Sequence, residues 1–302
     1  MSFRTRFAPS PTGPLHLGHA YSALLAHDMA MADGGEFLLR IEDIDQSRCR
    51  PEWEDLIYQD LKWLGLSWEE PVLRQSDRMD AYRAKLKGLW NDHVIFACGC
   101  NRRDVLEAAS APQDGTPAYG PDGIVYPGTC NLAENKTNWY ETPMPEGTAF
   151  RLDMAHVAEH FMPHRIDSPD GGGLFGSFIE TGAGPNGETG LIEFTASQME
   201  TEVGDVVLAR RDMGTSYHLS VVLDDAVQGI THVVRGADLF ETTKIHVILQ
   251  HMFGLPTPIY HHHRLICDEN GKRLAKRDDA KAIRKFREEG ATPDDIRRMV
   301  GL

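Results

Sequence analysis

The sequence predicts an α/β protein with a doubly wound parallel sheet that a long insertion interrupts. Strand-like and helix-like segments alternate over residues 1–95, the alternation breaks over residues 96–205, and it returns afterwards. Such alternation is typical of a parallel sheet, because each strand needs a crossover, usually a helix, to reach the next. The 302 residues, 41% of them hydrophobic, suffice to bury a large core and suggest about two domains.

The alternation begins with a strand and a helix that residues 6–19 connect. Residues 3–7 alternate apolar and polar side chains as a strand does, and residues 20–32 are rich in helix formers. Three prolines and Gly13 prevent regular structure in the connection, so the helix should begin near His16 with unpaired backbone N–H groups. The connection is therefore a strand-to-helix turn of a kind that attracts anions.

His16 and His19 stand three residues apart in the first turn of this helix, with Gly18 between them. At that spacing both imidazoles share one face, and Gly18 leaves space where a side chain would exclude a nucleotide. Two imidazoles at a helix N-terminus predict a phosphate-binding site. Two histidines that merely cap the helix would be an equally good interpretation of H-x-G-H alone, since short motifs also occur by chance.

The second strand, within residues 36–45, is apolar at its start and acidic at its end. Open parallel sheets bind their ligands at the carboxyl ends of strands, so Glu42 is a candidate ligand-binding residue. Without the preceding motif, a carboxylate that caps the next helix would be the better interpretation of Glu42. Amphipathic helices are predicted over residues 51–64, where Pro51 marks the start, and over residues 77–90.

The insertion opens with three of the five cysteines, Cys98, Cys100 and Cys130. An odd number of cysteines in a chain without a signal peptide favours thiols or metal ligands over disulfides. Cys98 and Cys100 form a C-x-C pair, and zinc takes four tetrahedral ligands, for which His93 is a candidate fourth. Three buried thiols without a metal explain this spacing equally well.

Residues 165–190 are rich in glycine and contain a literal G-x-G-x-x-G with Pro185 inside it. Without a strand before it and a helix after it, this pattern does not indicate a nucleotide site and instead predicts a surface loop or a long hairpin. The alternation then resumes with strands over residues 205–210 and 231–238, which flank a helix over residues 221–229. These elements predict the second half of the sheet.

The net charge of −14 argues against a nucleic-acid partner, because phosphates are neutralised by Lys and Arg. The C-terminal segment qualifies this argument, since residues 272–298 contain ten Lys or Arg and six Asp or Glu, a local charge of 10 − 6 = +4. One or two short helices are predicted over residues 280–302, and their basic patch is compatible with RNA or with a solvated surface. No apolar run reaches the ~20 residues of a membrane span, so we expect a cytoplasmic protein.

Three motifs together resemble those of class I aminoacyl-tRNA synthetases of the glutamyl type. Residues 6–19, which end in His-Leu-Gly-His, resemble the HIGH signature of that family. Residues 40–43, Arg-Ile-Glu-Asp, resemble its R-I-E-D segment, and residues 273–277, Arg-Leu-Ala-Lys-Arg, resemble its KMSKS signature with Ala275 in place of Ser. The resemblance implies a Rossmann-type catalytic domain that joins glutamate to ATP as glutamyl-adenylate.

The resemblance also implies roles for residues that match the motifs of the family. His16, His19 and Lys276 are the implied catalytic residues, and together with Gly18 they would bind ATP, which should arrive with Mg²⁺. The residues implied to bind glutamate are Arg6, Phe7, Ala8, Pro9, Ser10, Glu42, Tyr217 and Arg235. Arg235 suits a carboxylate because its planar donors hold two oxygens at once, although a surface ion pair is its alternative role.

For the cysteines, the resemblance implies one structural zinc ion per chain. Relatives without an anticodon-binding domain are similar in having C-x-C and Y-x-x-x-C at this position, which adds Tyr126 to Cys98, Cys100 and Cys130 as a ligand. A metal here would fold a small knuckle and take no part in the chemistry.

The same resemblance divides the chain into four parts. These are a first catalytic half over residues 1–95, an inserted zinc-containing α+β subdomain of the acceptor type with the Gly-rich loop over 96–205, a second catalytic half over 206–250, and the KMSKS-type loop with C-terminal helices over 251–302. Full-length glutamyl-tRNA synthetases continue into helical domains that bind the anticodon, whereas this sequence does not.

The resemblance is greatest to family members that activate glutamate without tRNA and esterify queuosine in the anticodon loop of tRNA(Asp). We therefore expect ATP, L-glutamate and queuosine-containing tRNA(Asp) as partners of a monomer that binds no membrane. Two alternatives remain open. One is a truncated glutamyl-tRNA synthetase that charges tRNA(Glu), and the other is a catalytically silent paralogue that only binds RNA.

Overall fold

The computed structural model describes residues 2–110, 118–131, 142–160, 174–267 and 281–302. No helix in these ranges combines the length and the apolar character that crossing a lipid bilayer requires.

The described strands are β1 (Arg4–Phe7), β2 (Glu36–Ile41), β3 (Glu69–Arg74), β4 (Ile95–Cys98), β5 (Tyr119–Gly120), β6 (Gly123–Ile124), β7 (Ala149–Leu152), β8 (Leu174–Glu180), β9 (Gly190–Thr195), β10 (Val207–Ala209), β11 (His232–Gly236) and β12 (Ile259–His263). The longer helices are α1 (Leu17–Ala32), α2 (Pro51–Trp63), α3 (Met79–Asn91), α4 (Arg102–Ala109), α5 (Met154–His160), α6 (Tyr217–Val227), α7 (Thr242–Met252), α8 (Ile283–Glu288) and α9 (Pro293–Val300). Short helical turns span Gln75–Arg78, Ala196–Gln198, Met199–Val203 and Ala237–Leu239.

Parallel strands form both halves of the predicted sheet. β2 pairs in parallel with β1 on one side and β3 on the other, and β11 pairs in parallel with β12. Where the halves meet, the Thr231 backbone N–H donates to the Arg4 carbonyl (3.0 Å), and the Arg4 N–H donates to the Thr231 hydroxyl (2.8 Å). β1 and β11 therefore begin side by side, which brings the segments after these strands to one edge of the sheet.

α1 begins where the sequence predicts, and its own histidines form its N-terminal cap. His16 Nδ1 accepts the Gly18 backbone N–H (3.1 Å), and His19 Nδ1 accepts the His16 N–H (3.2 Å). These bonds satisfy N–H groups that the first turn of a helix leaves unpaired. The buried residues of α1 are four alanines and one leucine, and such small side chains let the helix lie close to β1 and β2.

The insertion forms an antiparallel sheet and two hairpins. β7 lies between β4 and β10, antiparallel to both, and β5 pairs with β6. The prediction that the strand at residues 205–210 belongs to the second half of the parallel sheet is therefore wrong, because β10 is an edge strand of this antiparallel sheet. β8 and β9 form a long hairpin, which confirms the predicted hairpin for the described part of the Gly-rich stretch, while residues 161–173 lie outside the described ranges. β8 also pairs with β12 through Glu180 and Tyr260, so this hairpin extends the parallel sheet. The four-part division of the chain stays a prediction.

α9 packs against the first helix and α8 begins beside the segment that precedes it, and the two helices confirm the prediction of one or two C-terminal helices. The Ile283 backbone N–H donates to the Leu15 carbonyl (2.8 Å), and Arg297 donates twice to the Asp28 carboxylate (2.5 and 2.9 Å). Ile296 is fully buried in the hydrophobic cluster that also contains α1, β1 and β2. The KMSKS-like segment lies outside the described residues.

Candidate active site

A cavity of about 490 Å³ opens where the segments after β1, β2, β11 and β12 meet. Its lining includes most of the residues predicted to bind glutamate or ATP, namely Arg6, Phe7, Ala8, Ser10, His16, Gly18, His19, Glu42, Tyr217 and Arg235. Pro9 is buried and is not part of the lining, but its carbonyl accepts the Glu42 backbone N–H (3.0 Å). Lys276 lies outside the described residues.

His16 and His19 lie against each other, with ring centroids 3.8 Å apart. Because each Nδ1 accepts a backbone hydrogen bond, the neutral rings carry their proton on Nε2. Two Nε2–H donors and the positive end of α1 suit an anion such as a phosphate. A Cβ at Gly18 would lie 3.0 Å from His16 Cε1, so glycine here also makes room for the imidazole of His16.

Arg6 and Glu42 reach the cavity as parts of a buried charge network. Asp225 of α6 accepts two hydrogen bonds from Arg6 (2.9 and 3.3 Å) and one from Arg40 (2.6 Å), and Arg40 also donates to one oxygen of Glu42 (3.0 Å). Burial alone would raise the pKa of Asp225, but the charges of Arg6 and Arg40 outweigh burial and lower the pKa. Burial raises the pKa of Glu42, and the charge of Arg40 reverses only part of this effect.

The preceding residue of α6, Asp224, binds a different neighbour. Its carboxylate accepts hydrogen bonds from Gln75 Nε2 (2.8 Å), Arg78 Nε (2.6 Å) and the Tyr82 hydroxyl (2.8 and 2.9 Å). Asp224 therefore ties α6 to α3 and the turn before it, whereas the next carboxylate ties α6 to β1 and β2. Tyr217, the first residue of α6, lines the cavity, so both attachments position a cavity residue.

Arg235, near the end of β11, is buried and donates only to neutral groups among the described residues. The acceptors are Thr243 Oγ1 (2.6 Å), His246 Nδ1 (3.1 Å), His262 Nε2 (3.1 Å), the Leu239 carbonyl (3.3 Å) and the Tyr217 hydroxyl (3.5 Å). Burial lowers the pKa of His246 well below its ordinary value, and the charge of Arg235 lowers it further. In the described part of the chain no carboxylate contacts this guanidinium, which suits a site for an anionic ligand.

Sequence reasoning missed several residues that support this site. Asp224 and Asp225 stand together in an otherwise apolar helical stretch, a signal that two buried acids need partners. His262 contacts Arg235, and His263 lines the cavity. The run of three histidines in β12 could have indicated polar contacts on both faces of a buried strand, because successive side chains of a strand alternate.

The three cysteines of the insertion converge on one point. The Sγ atoms of Cys98, Cys100 and Cys130 all lie within 4.8 Å of one another, and His93 is not part of this cluster. The Tyr126 hydroxyl lies 3.6 Å from Cys98 Sγ and 3.5 Å from Cys100 Sγ, and it accepts the Cys130 backbone N–H (2.7 Å). Burial raises the pKa of Cys100 to about 11 and also raises that of Tyr126. Three sulfur ligands at this separation are compatible with a zinc site.

Fold, cavity and cysteine cluster together define the catalytic domain of a class I aminoacyl-tRNA synthetase. Residues 2–118 and 188–302 match the family described as tRNA synthetases class I (E and Q), catalytic domain, so the chain belongs to this family. The resemblance that the motifs indicated is thereby confirmed.

Similarity to individual proteins is more informative about this chain than the match to the family as a whole. A glutamyl-Q tRNA(Asp) synthetase from Rhodobacter capsulatus is 57% identical over 298 residues, which cover 99% of this chain and 99% of that protein. A protein of the same name from Cupriavidus metallidurans is 36% identical over 99% of this chain and 83% of its own length. The crystal structure of a glutamate tRNA ligase from Elizabethkingia meningosepticum aligns with a TM-score of 0.73 and 25% identity, covering 100% of this chain and 61% of that one. This likeness confirms the predicted Rossmann-type α/β fold, and the chain spans about three fifths of that ligase.

Proposed function

We propose that this chain is a ligase that activates glutamate with ATP in the absence of tRNA and transfers the glutamyl group to queuosine in the anticodon loop of tRNA(Asp). The observation that carries this proposal is the 57% identity, over 99% of both chains, to a protein named glutamyl-Q tRNA(Asp) synthetase. The cytoplasm, where tRNA is available, is the compartment in which we expect it to act.

The cavity supports glutamate as the amino acid. A carboxylate of the substrate would pair with Arg235, whose described hydrogen-bond acceptors are all neutral. Glu42, which has one carboxylate oxygen on Arg40, would pair with the α-amino group. Arg6, held by its carboxylate partner on α6, and Tyr217 would complete the walls around the substrate.

The first turn of α1 supports an ATP site next to the glutamate site. His16 and His19 offer Nε2–H donors, and negative charge on the phosphates is stabilised by such donors at a helix N-terminus. Lys276 would add a cation to these donors. Mg²⁺ would accompany the ATP phosphates, as it commonly does in place of an all-protein metal site.

The chemistry follows from these positions. An oxygen of the glutamate α-carboxylate attacks the α-phosphorus of ATP, a new O–P bond forms, and the bond to the β-phosphate breaks to release pyrophosphate. The attacking carboxylate is already ionised, so this step needs positioning and charge stabilisation and no general base. A queuosine hydroxyl then displaces AMP from the glutamyl carbonyl carbon and forms an ester.

Two assays test this function. Glutamate-dependent exchange of pyrophosphate into ATP should proceed without RNA, and glutamylation should require tRNA(Asp) that contains queuosine. Lys276→Ala should reduce the exchange steeply and leave the fold unchanged. Exchange that depends on tRNA, or charging of tRNA(Asp) that lacks queuosine, would overturn the proposal.

Charging of tRNA(Glu) is the second candidate, because the fold is like that of a glutamate tRNA ligase. The two candidates differ in the acceptor group, since this reaction would esterify the 3′ end of tRNA(Glu). A parallel glutamylation assay with tRNA(Glu) separates them, and its failure beside success with queuosine-containing tRNA(Asp) would exclude the second.

The proposal includes one structural zinc ion held by Cys98, Cys100, Cys130 and Tyr126. Tyr126 would be the weakest ligand, because burial raises its pKa and a phenol must lose its proton or bind as a neutral group. Metal analysis should find about one zinc per chain, and Cys100→Ser should lose it. Cys267→Ser, which changes an exposed cysteine outside the cluster, is the control and should retain the metal. Full zinc content in Cys100→Ser would contradict the assignment.

A further inference from the structure

A second cleft, of about 170 Å³, lies between α3 and the loop that follows β10. Four cations line it, Arg83 and Lys87 from α3 and Arg210 and Arg211 from the loop, together with one described carboxylate, Glu146. Arg83 and Lys87 are four residues apart in a helix and therefore lie on one face. The charge of the lining is 4 − 1 = +3 on a chain whose net charge is −14.

The cations of this cleft are available to a ligand. Arg83, Lys87, Arg210 and Arg211 are all exposed, and within the described ranges none of them forms an ion pair with a carboxylate. Among the described residues, the guanidinium of Arg211 donates one long hydrogen bond, to the Gly99 carbonyl (3.4 Å). Burial alone would raise the pKa of Asp122, in the adjoining depression, and Arg210 is close enough to that carboxyl for its charge to help lower the pKa. Exposed cations that share one concave surface and form no ion pair among the described residues raise the local positive potential, which attracts anionic ligands.

The C-terminal helices use their positive charge differently. Their described cations are mostly paired with the protein's own acids, in the ion pairs Lys281–Glu289, Arg287–Asp60, Arg297–Asp28 and Arg298–Asp295. The sequence concentrates positive charge there, but in the described part of this segment the charge is largely neutralised. The cleft beside α3 is therefore the better candidate for a polyanion.

The cleft also adjoins the active-site cavity. Arg210 lines both the cleft and a small depression of about 130 Å³, and Tyr217 lines both that depression and the cavity. The loop between these two residues is closed by hydrogen bonds from the Gly214 N–H to the Arg210 carbonyl (2.9 Å) and from the Arg210 N–H to the Thr215 carbonyl (3.1 Å). A polymer held in the cleft would thus be separated from the cavity only by the small depression that Arg210 and Tyr217 line.

We propose that this cleft binds the sugar–phosphate backbone of the RNA substrate, next to the nucleotide that enters the cavity. The inference rests on the proposed function, because it locates the RNA of that same reaction. Arginines hold phosphate oxygens through their forked donors and lysine acts as a point charge, so this lining suits successive phosphates. Contacts to the backbone position an RNA, while recognition of the base is left to the cavity.

The test compares two double variants that remove equal charge. Lys87→Gln/Arg211→Gln removes two cleft cations, and Arg103→Gln/Arg298→Gln removes two exposed cations that are ion-paired elsewhere. Glutamylation of queuosine-containing tRNA(Asp) is measured at several salt concentrations, together with pyrophosphate exchange without RNA. The cleft variant should raise KM for tRNA about tenfold and reduce the slope of log KM against log salt by about 2, one per phosphate contact. Its exchange rate and the control variant's KM should match wild type.

Glu146→Gln provides a change of opposite sign, because it removes the described negative charge of the lining and should lower KM for tRNA. Equal KM values in the cleft variant and the wild type would overturn the RNA cleft. Loss of exchange in the cleft variant would overturn it as well, since the effect would then lie in the glutamate cavity. A wild-type protein that charges no queuosine-containing tRNA would overturn the proposed function together with the cleft, whereas wild-type charging with unaffected variants would overturn the cleft alone.

Discussion

Arg235 is the residue on which the choice of an acidic amino acid depends in our proposal. Its guanidinium is buried among neutral acceptors, so a ligand carboxylate would balance a charge that the described protein groups leave uncompensated. A neutral amide of the same shape, as in glutamine, offers no such compensation. Discrimination between the two substrates would therefore come from the charge itself rather than from the size of the cavity.

Replacement of Arg235 tests this role. Arg235→Gln should lower kcat/KM for glutamate in pyrophosphate exchange about 10- to 100-fold, because a hydrogen bond to a charged group contributes about 1.5–3 kcal/mol. Arg235→Lys keeps the positive charge but loses the paired N–H donors of the guanidinium. Its kcat/KM should therefore lie between that of the wild type and that of Arg235→Gln. An unchanged kcat/KM in Arg235→Gln, with the fold verified by circular dichroism, would show that the carboxylate binds elsewhere.

The raised pKa of Glu42 predicts how glutamate binding depends on pH. Burial raises this pKa, and the proposed contact with the α-amino group needs the ionised carboxylate, so binding should weaken with falling pH sooner than for an ordinary glutamate. Calorimetric titration of glutamate from pH 8 downward measures the effect, with Glu42→Gln as the control. The variant should bind more weakly than wild type at pH 8, lack this decrease in affinity, and approach the wild-type affinity at low pH, where Glu42 is also neutral. The same loss of glutamate affinity with falling pH in both proteins would assign the titration to a group other than Glu42.

Local motifs predicted part of the lining of the cavity, and the resemblance to the family added Tyr217 and Arg235, but the residues that hold the lining in place were not predictable. Residues 6–19 and Glu42 lie in short stretches whose residue types and turn geometry indicate a ligand site. Asp225, by contrast, is 219 residues from its partner Arg6, so no local pattern connects the two. His246 was missed for a similar reason, because a histidine in an apolar helix gives no sign of the arginine that it contacts.

Among the elements, α2 carries a buried acid that is poorly compensated. Asp60 is fully buried, and neither of its carboxylate oxygens accepts a hydrogen bond from a described residue. Among the described residues its ion-pair partner is Arg287 of α8, at 3.6 Å. Burial raises the pKa of Asp60 to about 6, and the charge of Arg287 opposes this shift. The folded chain therefore binds the proton of the Asp60 carboxyl more tightly than the unfolded chain does.

Asp60→Asn should make the free energy of unfolding less sensitive to rising pH. With a folded pKa above the unfolded one, Asp60 stabilises the fold when protonated, and this contribution is lost as the pH rises through about 6. The free energy of unfolding of Asp60→Asn, relative to wild type, should therefore increase by about 1–2 kcal/mol between pH 4.5 and pH 7.5. Urea unfolding at both pH values measures it, with the exposed Asp55→Asn on the same helix as control. A pH-independent difference would contradict the prediction.

The sequence pattern predicted where helices begin, except where a capping side chain starts a helix earlier than the pattern indicates. α2 begins at Pro51, as predicted, because proline suits the first helical position. α6 begins at Tyr217, four residues before the predicted helix at 221–229, because the Ser216 hydroxyl accepts the Leu219 N–H (3.4 Å) and caps it. The strand partners of the insertion were not predictable, since the pairing of β8 with β12 joins segments that lie far apart in the chain.

For the whole molecule, the C-terminal helices are part of the same core as the N-terminal helix. Ile296 of α9 is fully buried in the cluster of α1, β1 and β2, and the backbone N–H of Ile283 is bonded to Leu15, just before the histidine motif. The first and last described segments therefore support each other next to the active-site cavity.

Ile296→Ala should consequently destabilise the whole chain rather than release one helix. Truncation of a fully buried isoleucine typically lowers the free energy of unfolding by about 2–5 kcal/mol, since a cavity remains. Urea unfolding followed by fluorescence measures the loss, and Met299→Ala on the exposed side of the same helix should change little. Unchanged unfolding in Ile296→Ala would mean that α9 is not part of the cooperative unit.

The two adjacent aspartates of α6 limit which substitutions the sequence can accept during evolution. Asp225 divides its carboxylate between Arg6 and Arg40, while Asp224 serves Arg78 and the residues beside it. Loss of one member leaves another buried charge without its partner, at a cost of about 3–5 kcal/mol, so changes here are expected to arise in matched sets. Two groups of covarying positions should therefore be found among homologous sequences, one on each side of α6, and a hybrid enzyme that receives α6 from a relative should function only when it receives both groups.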